Sequence, residues 1–291
     1  MYRFLSLFVL LALPCGTQAA PFLITTDWLA GKLQNPGIVI IDMSDETQHS
    51  RFHLPGARHL PYDAINQRTK TGVSLSAGSQ HISRILGLLG IDNSKHIIIY
   101  DDMAGLHASR LFWELERLGH KEISILDGGL VKWILEGRKI TNQPSQFARA
   151  NYQPNGTGRD NLASLVDIRA VAEQKSTVLL DVRSQEEYTG HPAYQRTGHI
   201  PGARWWEWEQ AANFAQGFTM QPDKQVITSL TQAGMGKKET PAILYCQSGH
   251  RAAHTYFTLR RLGYTKVRVF DGSMAEYGQH KSLPLNRGQT P

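Results

Sequence analysis

Cysteine is almost absent from this chain: two in 291 residues, Cys15 and Cys246. Cys15 falls in a leader that is expected to be removed, which leaves Cys246 alone. A solitary thiol rules out an intramolecular disulfide, a thioredoxin-like pair and any multi-cysteine zinc site. Long apolar runs are missing too. The longest, Phe4 to Leu13, is shorter than a membrane span needs. With Arg3 before it and Thr17-Gln18-Ala19-Ala20 after it, this run is predicted to be a secretory signal peptide over 1–19, cut after Ala19. Cleavage one residue later would put Pro21 beside the scissile bond, and Leu13-Pro14 ahead of Cys15 does not suit a lipoprotein signal. The bacterial periplasm is therefore the expected compartment, with no membrane insertion after cleavage. The formal charge is +6, yet no segment concentrates Lys and Arg as a nucleic-acid arm would. The charge reads as a solvated surface mildly biased towards small anions, with no nucleic-acid partner.

What the chain does have is repetition. Gly37-Ile38-Val39-Ile40-Ile41-Asp42 corresponds to Thr177-Val178-Leu179-Leu180-Asp181. His53-Leu54-Pro55-Gly56-Ala57-Arg58 returns 146 residues later as His199-Ile200-Pro201-Gly202-Ala203-Arg204. Ile97-Ile98-Ile99-Tyr100-Asp101 matches Ala242-Ile243-Leu244-Tyr245-Cys246 at an offset of 145, and Asp127-Gly128-Gly129 matches Asp271-Gly272-Ser273 at 144. Two copies of one domain are expected, over 24–141 and 161–287, joined by a Pro-, Asn-, Gln- and Gly-rich linker over 142–160. Uninterrupted apolar strands alternate with helical patterns. The fold class is therefore α/β, with a parallel sheet in each copy and helices on both faces. Strands are predicted near 37–42, 96–101 and 122–126, and near 177–182, 241–246 and 266–270. Helices are predicted near 79–89, 106–118 and 129–136, and near 162–174, 223–233 and 250–262.

Ligands of such sheets gather at the carboxyl ends of strands. Cys246 ends one, followed by Gln247-Ser248-Gly249-His250-Arg251 at the start of a helix. Unpaired amides and the positive end of the helix dipole favour a thiolate there, and Gly249 lets the loop curl so that its amides converge. The alternative, a small hydrophobe closing a core strand, is the usual fate of a free cysteine. The first copy has Asp101 at this position, which cannot carry a persulfide, so one active centre per chain is expected. Four residues separate Cys246 from Arg251, one fewer than in cysteine phosphatases, and no Asp is placed as a general acid. Sulfur transfer fits this loop better than phosphate hydrolysis.

These features together resemble a tandem-domain rhodanese, a thiosulfate sulfurtransferase. The matching elements are Asp181-Val182-Arg183-Ser184 with Glu187-Tyr188 and Gly190, then Gly198-His199-Ile200-Pro201-Gly202-Ala203, then the cysteine loop, and finally Leu262-Gly263-Tyr264 leading to Asp271-Gly272. The resemblance implies an inactive first copy and a persulfide on Cys246, with no cofactor. It implies a small anionic sulfur donor and a thiophilic acceptor such as cyanide, and it places Arg183 at the pocket mouth to grip the donor. The alternative for Arg183 is an ion pair with Glu186 or Glu187. The amides of Gln247, Ser248, Gly249, His250 and Arg251 are expected to hold the persulfide. Arg251 would bind the sulfonate or clamp loop carbonyls. His250 would tune the thiolate or turn outward. His250 and His254 have the i, i+4 spacing of a zinc pair, but no third ligand follows, so no metal is expected. Asp181 is expected to hold a loop or cap a helix. The Trp205-Trp206-Glu207-Trp208 cluster is expected to form a wall or an interdomain contact. Loop composition leaves thiosulfate, 3-mercaptopyruvate and a persulfide-carrier role open.

Overall fold

The computed structural model describes residues 20–156, 158–173, 176–191 and 196–291, so the signal-peptide assignment over 1–19 lies outside the described residues. Two sheets of five strands are built on one plan. In the first copy the order is Leu23–Ile24, Ile123–Leu126, His96–Tyr100, Ile38–Asp42 and Arg58–His59. In the second it is Leu162–Ala163, Val267–Phe270, Ala242–Tyr245, Val178–Asp181 and Arg204–Trp205. Every pairing within both is parallel. The central strands are β-branched or Leu-rich runs buried on both faces, as a helix-covered parallel sheet requires.

The two copies meet through their equivalent helices, Leu106–Arg117 and His250–Arg261. Nearly every residue of each is buried, and one hydrophobic cluster runs through both copies. Phe112 meets Phe257 edge to face at 5.0–5.1 Å spacing in a row that includes Phe22. Polar groups at the seam are paired: Glu116 takes Tyr256 Oη at 2.6 Å and Arg260 Nη2 at 2.9 Å. The contacts are also reciprocal. Asp127, after the last strand of the first copy, accepts the Met220 amide from a hairpin of the second copy. Its counterpart Asp271 accepts the Ser76 amide from a hairpin of the first.

The long elements fall where the periodicity places them. The helix expected at 162–174 starts later, as Leu165–Glu173, because Leu162–Ala163 is drawn off as an edge strand beside Val269 and Phe270. The stretch 142–160 is pinned along the first copy. Ala150 donates to Gly87 O, Asn155 to Leu118 O and Arg159 to Glu116 O, while Tyr152 is buried. A polar composition there satisfies backbone groups against helix ends.

Candidate active site

The strand Ala242–Tyr245 ends at Cys246, and the helix His250–Arg261 begins four residues on, with Gly249 as its N-cap at φ 78°. Glycine is required at 249, since a Cβ would sit 2.5 Å from Asp271 Oδ1 and 2.8 Å from Asp271 O. The loop carbonyls are spoken for: Cys246 O and Gln247 O accept the amides of Met274 and Ala275 from the one-turn helix Ser273–Tyr277. The Cys246 and Gly249 amides both donate to Ser273 Oγ at 3.1 Å.

The first copy displays what such a loop binds. The carboxylate of Asp101, at the strand-end position of Cys246, accepts four amides. They come from Met103 (2.9 Å), Gly105 (2.8 Å), His107 (2.8 Å) and Ala108 (2.9 Å). The first copy thus holds an anion cradle filled by its own side chain, and the equivalent strand end of the second copy carries a cysteine.

Arg251 is partly exposed, at 24% of its side chain, and turns to a carboxylate of the neighbouring short helix. Its Nη1 and Nη2 hold Glu187 Oε2 and Oε1 at 2.6 and 2.9 Å, a bidentate pair. Burial works against its charge, but Glu187 and the adjacent Cys246 sulfur together raise its pKa. Burial likewise opposes ionisation of Glu187, and the Arg251 hydrogen bond and charge overcome it, holding the carboxyl below its usual range. Glu187 also closes a capping box with Ser184. That Ser-x-x-Glu spacing is the sequence signal by which Glu187 could have been recognised as fixed in place.

Arg183 corrects both expectations for it. It is 4% exposed, with Nη2 on Asp181 Oδ2 at 2.5 Å, Nε on both carboxylate oxygens and Nη2 also on Gly198 O. It pairs with Asp181, neither gripping at a mouth nor bonding Glu186 or Glu187. The strand-end carboxylate is fully buried and needs a cation within two residues. Asp181 also accepts the Arg183 amide, so it does hold the turn.

Cys246 is 0% exposed and belongs to the hydrophobic cluster, the burial that the alternative of a small hydrophobe closing a core strand would show. His250 of the loop meets two rings of the first copy, Tyr62 tilted at 32° with centroids 4.1 Å apart and His107 stacked at 4.9 Å. Tyr62 is close enough for the sulfur's charge to help raise its phenol pKa, after burial as the main cause. Burial, then the nearby His107, Arg110 and His254, push the His250 pKa down to about 2, so the ring is neutral. It is packed inward against the first copy, and its buried Nε2 has no hydrogen-bond partner among the described residues. Beside this stack lies a cavity of about 380 Å³ whose lining includes Tyr62, Asp63, Asn66 and Arg68 of the first copy with Ser248 and His250 of the loop. Two larger cavities, about 420 Å³ each, include no residue of the cysteine loop.

His254 Nε2 donates to Ala104 O across the seam (3.1 Å). Among the described residues no group of three His, Cys, Asp or Glu is placed to hold a metal. The tryptophans divide: Trp206 is core with Nε1 on Ser229 Oγ, Trp205 Nε1 caps Arg183 O, and Trp208 packs edge-on to His254 at 4.9 Å. Sequence reasoning missed Tyr62, His107 and Ser273, which lie far from Cys246 along the chain.

Comparison with known proteins follows the same division. The rhodanese-like domain model matches twice, over residues 25–136 and 162–280. A Mycobacterium bovis protein described as "Putative thiosulfate sulfurtransferase 1" is 32% identical over 278 residues, 91% of this chain and 98% of that one. A Thermus thermophilus protein described as "Sulfur carrier protein TtuD" is 28% identical, covering 92% of this chain and 97% of that one. Among solved structures, EanB superposes with a TM-score of 0.81 at 19% identity, covering 92% of this chain and 69% of that one. YnjE gives 0.80 at 20%, covering 92% and 68%.

Proposed function

The chain belongs to the rhodanese-like family, and from that premise we propose that it moves sulfane sulfur from thiosulfate to a thiophilic acceptor through a persulfide on Cys246. The observation that supports the reading is the repeated strand-to-helix loop, whose amides hold a carboxylate in the first copy and which opens with a cysteine in the second. The Cys246 thiolate attacks the outer sulfur of thiosulfate. A Cys246 S–S bond forms, the donor's S–S bond breaks and sulfite leaves with the electron pair. Cyanide or a thiolate then attacks the outer sulfur of the persulfide and returns Cys246 as thiolate. Loop amides hold the negative charge throughout. The Arg251–Glu187 pair fixes a cation beside the sulfur, and neutral His250 adds no competing charge. The donor and acceptor enter by the cavity beside Tyr62 and His250. We also read the chain as exported, on the leader at its start.

Steady-state assays with thiosulfate or 3-mercaptopyruvate as donor and cyanide as acceptor test this. We expect the higher kcat/KM with thiosulfate and none of it in Cys246→Ser. A preference for mercaptopyruvate, or activity surviving the substitution, overturns the reading. A second reading, a persulfide carrier with little turnover, is favoured by the enclosure of Cys246 and by the carrier description of the 28%-identical relative. Its mark is stoichiometric sulfur loading with slow release to cyanide.

A further inference from the structure

We propose that Ser273 is a positioning residue that decides which amides of the cysteine loop are left to face the sulfur. Ser273 is one of three non-glycine residues with positive φ among the described residues, at φ 49°, in the left-handed region that a Cβ disfavours. Its counterpart in the first copy is Gly129, also at φ 49°. The following amide makes the same bond in both copies, Leu130 to Asp101 O and Met274 to Cys246 O. The backbone requirement is therefore shared, and only the second copy meets it with a side chain.

Space explains where that side chain fits. A Cβ added at 129 would collide with the Asp101 carbonyl oxygen. The first copy runs Asp102-Met103-Ala104-Gly105 between Asp101 and its helix, whereas the second runs only Gln247-Ser248-Gly249 between Cys246 and its helix. The shorter loop admits a hydroxymethyl group, and that hydroxyl is fully used. It donates to Phe270 O at 2.8 Å and accepts from Cys246 N and Gly249 N at 3.1 Å each. In the first copy the N-cap amide, Gly105, instead goes to the anion. Ser273 thus withdraws the N-cap amide from the cradle and also holds the cysteine's own amide. By correspondence with Met103, His107 and Ala108, it leaves those of Ser248, Arg251 and Ala252 for the sulfur. A strained serine in place of a relaxed glycine is accounted for by this selection.

The test is Ser273→Gly beside Ser273→Ala, with the full chain. Glycine is the first copy's own solution at this φ, so the variant folds. The readout is the pH profile of Cys246 alkylation by iodoacetamide, which needs no sulfurtransferase activity and stands if that reading fails. We expect the melting temperature of Ser273→Gly to match or exceed the parent, the alkylation midpoint to move by half a pH unit or more, and kcat for sulfur transfer to fall roughly tenfold with a smaller change in KM. Ser273→Ala, which keeps the strain and loses the hydroxyl, should shift the midpoint equally. An unchanged midpoint in both variants, or a loss of folding stability as the sole effect in Ser273→Gly, overturns the proposal.

Discussion

Arg251 and Arg183 each pair with a different carboxylate. Arg251 holds Glu187 beside the sulfur, and Arg183 neutralises the buried Asp181. Their substitutions should therefore fail differently. Arg183→Ala strands a buried carboxylate and should cost about 3–5 kcal/mol of stability in denaturant titration, with the folded fraction retaining its KM for thiosulfate. A stable variant with a raised KM would return Arg183 to the substrate. Glu187→Gln should leave most stability in place and cut sulfur transfer by roughly tenfold or more, since Arg251 loses a charged anchor beside the sulfur. Turnover within a factor of two of the parent would contradict this. At this scale Cys246, its loop and the absence of a nucleophile at Asp101 were legible from residue type and spacing. The partners of Arg183 and Arg251 were not, because both have several carboxylates within reach along the chain and only the folded burial of Asp181 selects among them.

Among elements, the short ones govern access. The 3-10 turn Tyr62–Ile65 brings Tyr62 onto His250, and the hairpin Asn66–Arg68 with Ser74–Ser76 lines the neighbouring cavity. Tyr62→Ala should open this cover. Both reagents, a bulky maleimide and the smaller iodoacetamide, should then react with the buried Cys246 faster, the maleimide roughly tenfold and iodoacetamide by less, because size decides how much opening each needs. Equal acceleration of both reagents would mean a changed thiolate and an unchanged cover. The long strands and helices could be read from apolar runs and 3.6-residue periodicity. The turns and hairpins could not, since two to four residues carry no period and are fixed by contacts with the other copy.

The whole molecule places a histidine-bearing seam of paired charges between the copies, where Arg110 from the first is fully buried on Asp271 of the second. His250 and His254 lie in this seam, with burial as the main cause of pKa values near 2 and 4 against 6.5 when unfolded. Since folding lowers both, the unfolded chain binds more protons below pH 6.5, and stability is lost as pH falls from 6.5 towards those values. Between pH 7 and pH 5 each should cost on the order of 2 kcal/mol in denaturant titration, and the double replacement His250→Gln, His254→Gln should flatten that slope. A slope unchanged by the double replacement would place the acid sensitivity elsewhere. The two-copy architecture came from the repeats alone, whereas the first copy's contact with the second copy's cysteine loop needed the fold. The most direct measurement of the central claim is the intact mass of the purified chain after thiosulfate and again after cyanide, alongside Cys246→Ala. The expected result is one added sulfur atom, removed by cyanide and never acquired by the variant. A parent chain that gains no sulfur, or a variant that gains it too, would contradict the account.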